Sequence, residues 1–211
     1  MSGLCSQHQG HDPNCPRCTA LPVGQGLLID VPAHCGVDDD NQRFTTREAL
    51  EWVKRMAGVD AFDLDVAACE ESHHAPVWYG QGRYGFTDGL YTVSNPWTGR
   101  VFCNPPWGHI GPWVDTAWRE MSRREGPITV AMILPGNRTH RTWWQELVEP
   151  VRDQKWPGVA PLILRVGDPV PTLTTHFAPK RFAYGGPGNP LGIGVAEPNF
   201  TSVAIVWRRA A

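Results

Sequence analysis

The sequence predicts an α/β fold in which a mostly parallel sheet carries helices on both faces, with a small cysteine- and histidine-containing knuckle at the N-terminus. Three observations lead to this prediction. Residues 128–134 form an uninterrupted apolar run that ends at Pro135, which is typical of a strand buried in a parallel sheet. Apolar residues between Ile110 and Met121 recur at helical spacing. Strand and helix patterns alternate along the chain, as in doubly wound folds.

Composition and length favour one such domain with an appendage. The chain has 211 residues, of which 41% are hydrophobic and 19% charged, so a sizeable core is expected. Residues 1–20 are predicted to be a zinc knuckle, residues 21–43 a linker rich in proline, glycine and acidic residues, and residues 44–211 the α/β domain. The net charge of -2 excludes the strong overall positive field of a nonspecific nucleic-acid binder.

The first elements of the domain have recognisable ends. Thr45 and Glu48 have the spacing of a capping box, so a helix is expected to begin there and to run through Met56, with Gly58 just past its end. A strand is predicted over 61–66, followed by small residues.

The remaining elements follow the same logic. Residues 69–99 and 167–199 are expected to be irregular, with a turn at Asp88 in the first, and residues 100–104 are expected to form a strand. The helix after this strand is expected to carry the core tryptophans Trp113 and Trp118. A further helix, with Trp143 facing inward, is expected after Thr139. Two strands, at residues 162–166 and 202–207, are expected to close the sheet.

The most informative motif is Asn104-Pro105-Pro106-Trp107, which directly follows the predicted strand. Each proline lacks an N–H and has a restricted φ, so the strand must end in a stiff turn. The turn would hold the Asn104 amide and the Pro105 carbonyl beside an aromatic ring. Two acceptor oxygens and a ring suit an exocyclic amine on a flat base. Accepting both amine hydrogens would free the nitrogen lone pair to attack an electrophilic methyl group.

Carboxylates are expected at the same edge of the sheet. Ligands of doubly wound sheets bind at the carboxyl ends of parallel strands. Asp63, Asp65 and Asp88 lie at predicted strand ends or in the loops after them, where they could bind ribose hydroxyls or an amine. One of Asp63 and Asp65 is also expected to be a simple turn or cap residue.

Residues 43–207 resemble the phage-type DNA adenine-N6 methyltransferases, a family with a Rossmann-like fold that uses S-adenosylmethionine. The resemblance rests on several blocks in the same order as in the family, which are Phe62-Asp63-Leu64-Asp65, Asp88-Gly89-Leu90, Val101 to Pro106, Ile110 with Trp113, Met132 to Pro135, and Arg138 to Trp144. The resemblance implies a Rossmann-like methyltransferase sheet, DNA as the partner and methyl transfer to adenine N6.

The resemblance also implies roles for individual residues. Asp63 or Asp65 would bind S-adenosylmethionine, and Asp88 would lie at its adenine or ribose end. Asn104, Pro105, Pro106 and Trp107 would hold the target base, whereas Thr45 and Thr46 lie where the family closes the donor pocket.

The chain departs from the family pattern at three places. Trp107 replaces the commoner tyrosine, Val66 replaces a usual proline, and a Phe-x-Gly-x-Gly loop is missing. Cys103 precedes Asn104 inside the strand and lacks the Pro-Cys pair of cytosine-C5 enzymes. We therefore expect a buried thiol at Cys103 and no nucleophile.

The N-terminal unit has the spacing of a metal knuckle. Cys5 and His8 form one pair and Cys15 and Cys18 another, and four such ligands satisfy tetrahedral zinc. We predict a structural zinc ion there, with His11 as an alternative to His8.

Several functions remain open from the sequence. The alternatives to DNA adenine methylation are the same chemistry on cytosine N4, RNA adenine or protein glutamine, and a nucleic-acid-binding protein with an inactive methyltransferase domain. The polar start of residues 1–10 and the lack of a long apolar run predict no signal peptide and no membrane partner. The expected location is the cytoplasm, that of the host cell if the protein is phage-encoded.

Overall fold

The computed structural model describes residues 43–81, 95–123, 125–154, 171–186 and 188–209. The strands within these ranges are β1 (Phe44–Thr45), β2 (Leu64–Cys69), β3 (Val77–Gln81), β4 (Arg100–Cys103), β5 (Thr129–Pro135), β6 (Thr172–Phe177), β7 (Tyr184–Gly185) and β8 (Ser202–Arg208). Six of them form one sheet in the order β3-β2-β4-β5-β8-β6, and β1 pairs with β7. β3, β2, β4 and β5 are parallel, whereas β8 runs antiparallel to β5 and β6. The sheet is therefore mixed, with a parallel half that contains β4.

The helices are α1 (Arg47–Ala57), α2 (Ile110–Met121) and α3 (Thr142–Leu147), with short 3-10 turns at Gly136–Arg138 and Arg152–Gln154. Gly58 ends α1 in the left-handed region, at φ 67°, which confirms the predicted C-terminus of this helix. The predicted capping box is wrong. The N-cap is Thr46, its side chain makes no capping hydrogen bond, and Thr45 is drawn into β1 by pairing with Tyr184.

Alternation along the strands divides the core between the two faces of the sheet. One set of side chains packs with α2 and α3, and includes Val101, Cys103, Met132, Leu134 and Ile205. The other set packs with α1, and includes Phe102, Ala131, Ile133, Ala204 and Val206. The prediction of an α/β sheet with helices on both faces is thus confirmed, as is the burial of Trp113 and Trp118.

Some predicted elements differ from the structure. β2 begins at Leu64 and not at Ala61, and Asp63, just before the strand, is held in an ion pair with Arg100. β3 and β6 lie in segments predicted to be irregular, and both are at the edges of the sheet as far as the described residues show it, where exposed positions weaken the apolar pattern. Trp144, and not Trp143, is the fully buried tryptophan of α3.

Other predictions concern residues outside the described ranges. These are the zinc knuckle at 1–20, the linker up to residue 42, Asp88, and the strand at 162–166. Among the helices that the structure describes, none has the length and apolar character needed to cross a bilayer.

Candidate active site

Asn104 lies at the carboxyl end of β4, between the neighbouring strands β2 and β5. The two prolines that follow prevent the ladder from continuing. The His109 N–H donates to the Pro106 carbonyl over 3.1 Å, which closes the turn before α2 begins at Ile110. The motif thus occupies the edge of the parallel strands at which ligands bind in such sheets, as the sequence predicts.

Hydrogen bonds fix the orientation of the Asn104 side-chain amide. Its Nδ2 donates to Thr45 Oγ1 over 2.9 Å and also to the Arg43 carbonyl. Its Oδ1 accepts from the indole Nε1 of Trp107 over 3.2 Å. Because an indole N–H can only donate, the amide oxygen must be the atom that faces it. An amide oxygen has two lone pairs, so Oδ1 can accept a second hydrogen bond from a ligand.

Trp107 is half-buried among other rings. The ring of Tyr184 meets it nearly edge-on with centroids 4.9 Å apart, and the ring of Phe200 does so at 5.5 Å. The Arg43 guanidinium lies 5.9 Å from the centroid of the Trp107 ring. Sequence reasoning missed Tyr184, Phe200 and Arg43, because their contacts with Trp107 span many residues and follow no local pattern.

The two threonines of the predicted donor pocket occupy different positions. Thr45 is only 4% exposed, and its hydroxyl oxygen accepts from the Asn104 amide. The Thr46 hydroxyl donates to the Ala183 carbonyl over 3.0 Å, which joins the start of α1 to the segment before β7. The structure therefore brings Thr45 into direct contact with Asn104, whereas Thr46 holds the neighbouring backbone.

Asp65 is a buried carboxylate in β2, level with Phe102 of β4. It is 2% exposed, and its oxygens accept from the backbone N–H groups of Ala67, over 3.3 Å, and His74, over 3.0 Å. Burial raises the pKa of Asp65 from 3.8 to about 7, although both backbone hydrogen bonds act in the opposite direction. Burial also lowers the pKa of His74 to about 4. The site thus holds an acidic group that changes its charge near neutral pH.

Asp63 lies at the other end of the sheet from Asn104. It precedes β2, beside the amino end of β4, where both of its oxygens pair with the Arg100 side chain over 2.7 and 2.9 Å. A third bond from the Arg100 N–H, over 2.8 Å, completes the contact. Hydrogen bonds from Arg100 lower the pKa of Asp63 to about 2. Of the two carboxylates, Asp63 is the one with a structural ion pair, which leaves Asp65 as the candidate for binding a ligand.

The other predicted site residues have mixed outcomes. Cys103 is a free, fully buried thiol whose pKa burial raises well above its ordinary value, which confirms that expectation. Asp88 and the four metal-ligand candidates, Cys5, His8, Cys15 and Cys18, lie outside the described residues. Within the described ranges, no three or more His, Cys, Asp or Glu side chains are grouped as metal ligands.

Comparison with known families gives one match. A family model described as DNA N-6-adenine-methyltransferase (Dam) matches residues 38–157, which is more than half of the chain. The matched range contains Thr45, Asp65 and the Asn104–Trp107 turn, whereas Tyr184 and Phe200 lie beyond it. No match was found among curated proteins or among solved structures.

Proposed function

The chain belongs to the DNA N-6-adenine-methyltransferase (Dam) family, and from that premise we propose that it methylates the N6 amino group of an adenine flipped out of DNA. The proposed methyl donor is S-adenosylmethionine, and the proposed place of action is the cytoplasm. The observation that carries the proposal is the fixed Asn104 amide, which directs an acceptor oxygen with a spare lone pair to the edge of the sheet.

The residues of the turn each have a proposed role. The Asn104 Oδ1 and the Pro105 carbonyl accept the two hydrogens of adenine N6, which localises the lone pair on nitrogen for attack. Trp107 supplies a stacking surface, and stacking a base on an aromatic ring is worth about 1–3 kcal/mol. A base stacked on the ring face under Arg43 would displace the guanidinium towards the DNA phosphates, where its charge is favourable.

S-adenosylmethionine, when bound, supplies an electrophilic methyl group on a sulfonium. The chemistry of the site fits that donor, because Asp65 is a desolvated carboxylate that a cationic ligand would hold in its charged form. We assign Asp65, and Asp88 outside the described residues, to donor binding. Thr45 is assigned to positioning Asn104.

A direct assay tests the proposal. The purified protein would be incubated with methyl-labelled S-adenosylmethionine and with native DNA, heat-denatured DNA, RNA or protein, followed by digestion to nucleosides or amino acids. We expect label in N6-methyldeoxyadenosine. Label in N4-methylcytosine, in RNA or in glutamine would contradict the adenine-DNA assignment. Donor binding without transfer to any acceptor would favour the inactive binding protein.

We expect that removing either side-chain hydrogen bond that orients the Asn104 amide lowers turnover. Thr45→Val deletes the acceptor of Nδ2 and keeps the branched shape, and Trp107→Phe deletes the donor to Oδ1 and keeps a ring. A lost hydrogen bond costs about 0.5–1.5 kcal/mol, so kcat should fall roughly 2- to 10-fold with the donor KM unchanged. Steady-state kinetics measure both constants. Thr45→Ser, which keeps the hydroxyl, should retain wild-type kcat; an equal loss in this variant would mean that Thr45 acts only through packing.

The N-terminal zinc site remains a prediction. If Cys5, His8, Cys15 and Cys18 bind zinc, elemental analysis of protein purified without chelators should find about one equivalent of metal per chain. The double substitution Cys15→Ser with Cys18→Ser should abolish it, whereas Cys103→Ser, at the buried thiol, should not change the metal content. Metal-free wild-type protein would contradict the prediction.

A further inference from the structure

Three large aliphatic side chains are exposed on the segment between β7 and β8. Leu191 is 69% exposed, Ile193 75% and Val195 44%. Such a group of neighbouring apolar side chains on a surface indicates an interaction site more often than isolated exposed residues do. We call residues 189–195 the apolar loop.

The apolar loop is held in shape by its own hydrogen bonds. The Asn189 side chain donates to the Ile193 carbonyl over 3.1 Å and accepts from the Ile193 N–H over 3.2 Å. The Gly192 N–H donates to the Asn189 carbonyl over 3.1 Å. Gly192 and Gly194 have φ of 65° and 74°, a left-handed conformation that glycine adopts without strain. The exposed side chains therefore project from a turn that its own hydrogen bonds hold in shape.

The apolar loop is anchored next to the catalytic motif. A Cβ atom on Gly192 would lie 3.0 Å from the Tyr184 backbone, so the loop packs closely against β7. The ring of Tyr184 contacts Trp107, and Phe200, on the other side of the loop, contacts the same ring. An aliphatic surface near a ring that can stack on a base suits the apolar interior of an opened DNA duplex.

We propose that the apolar loop enters the DNA duplex and occupies the gap left by the flipped adenine, with Ile193 as the leading side chain; this inference rests on the proposed function. Flipping a base breaks its pairing and stacking at a cost of a few kcal/mol. Aliphatic side chains inserted between base steps restore apolar contact with the bases that remain in the stack. The loop thereby helps to hold the duplex open while Trp107 holds the extruded base.

The experiment compares Ile193→Ser with Ile128→Ser on two forms of the same DNA. Ile128 is a matched control, because it is 63% exposed and lies before β5, at the end of the sheet opposite to Asn104. Methyl transfer would be measured on native and on heat-denatured genomic DNA that lacks adenine methylation. We expect Ile193→Ser to lower the rate on native DNA roughly tenfold or more and to leave the rate on denatured DNA unchanged, because a single strand has no gap to fill. Ile128→Ser should match the wild type on both.

Each other outcome overturns the inference. If Ile193→Ser is as active as the wild type on native DNA, or loses the same activity on both substrates, the apolar loop has no role in opening the duplex. A loss accompanied by a change in sedimentation coefficient would instead identify the loop as a contact between copies of the chain. If the wild-type protein methylates only denatured DNA, duplex DNA is not its substrate, and the loop has no duplex to open. If the wild-type protein methylates neither form of DNA, the proposed function itself is refuted, and this result distinguishes that failure from a failure of the inference about the loop.

Discussion

Asn104→Ala should lower DNA methylation by roughly 10²- to 10³-fold while leaving donor affinity unchanged. The alanine removes the oxygen proposed to accept an N6 hydrogen, and with it the partner of both Thr45 and the Trp107 indole. The donor pocket is assigned to Asp65 on the neighbouring strand, so calorimetric binding of S-adenosylmethionine should be unaffected. Single-turnover methyl transfer measures the chemical step without interference from product release.

Two further variants sharpen this test. Asn104→Asp keeps the acceptor Oδ1 but replaces the Nδ2 donor with a second acceptor oxygen, and its charge would face the Arg43 carbonyl, so an intermediate rate is expected. His109→Ala changes an exposed residue of the same turn and should retain wild-type activity, since the His109 side chain makes no capping hydrogen bond. Near-native turnover in Asn104→Ala would remove Asn104 from the mechanism.

The parts of the fold that could be predicted are those with strong local patterns. β5 is a continuous apolar run and α2 has clear helical spacing, and both appear where expected. β3 and β6 were missed because edge strands have one side without a partner and carry mixed side chains, such as the three threonines of β6. The turn at Asn104 was predictable because the two prolines determine its shape within four residues.

The parts of the site that could not be predicted depend on contacts between distant segments. Thr45 has the sequence signature of a helix cap, but pairing between β1 and β7 places it against Asn104 instead. Asp63 and Asp65 look equivalent in sequence, and the ion pair with Arg100, 37 residues away, separates their roles. Tyr184 and Phe200 reach Trp107 only because β7 and β8 return to the carboxyl end of β4.

The opposite pKa shifts of these two carboxylates lead to the second large expected effect, which concerns Asp65→Asn. When the pKa of a carboxyl group is higher in the folded than in the unfolded state, the free energy of unfolding decreases as the pH rises from the unfolded pKa to the folded pKa. The full loss is reached above the folded pKa. Folded Asp65 has a pKa of about 7 against an ordinary 3.8, so ionisation at alkaline pH costs about 4 kcal/mol. The free energy of unfolding of the wild type, relative to Asp65→Asn, should therefore fall by about 3 kcal/mol between pH 5 and pH 8.

The stability of Asp65→Asn relative to the wild type should increase with pH. The asparagine keeps one acceptor oxygen, so one of the N–H groups of Ala67 and His74 loses its partner at a cost of about 1–3 kcal/mol. Near pH 5 the wild type already bears roughly 2 kcal/mol of its cost, because unfolded Asp65 is ionised there and folded Asp65 is not, so the two proteins should have similar stabilities; at pH 8 the variant should be the more stable one. Urea unfolding at both pH values measures the difference. Asp63→Asn is the matched control, since Asp63 has a pKa of about 2 and remains ionised across this range.

The same ionisation should couple Asp65 to the methyl donor. A ligand that carries a sulfonium and an ammonium group favours the charged carboxylate, so donor affinity of the wild type should increase as the pH rises through about 7. His74 does not contribute to the pH dependence of donor affinity between pH 6 and pH 8, because its pKa of about 4 leaves it neutral at both. Calorimetry of S-adenosylmethionine binding at pH 6 and pH 8 should show this increase in the wild type and not in Asp65→Asn. If both proteins bind the donor equally at both pH values, Asp65 does not face the donor, and its buried charge serves only to hold the backbone at Ala67 and His74.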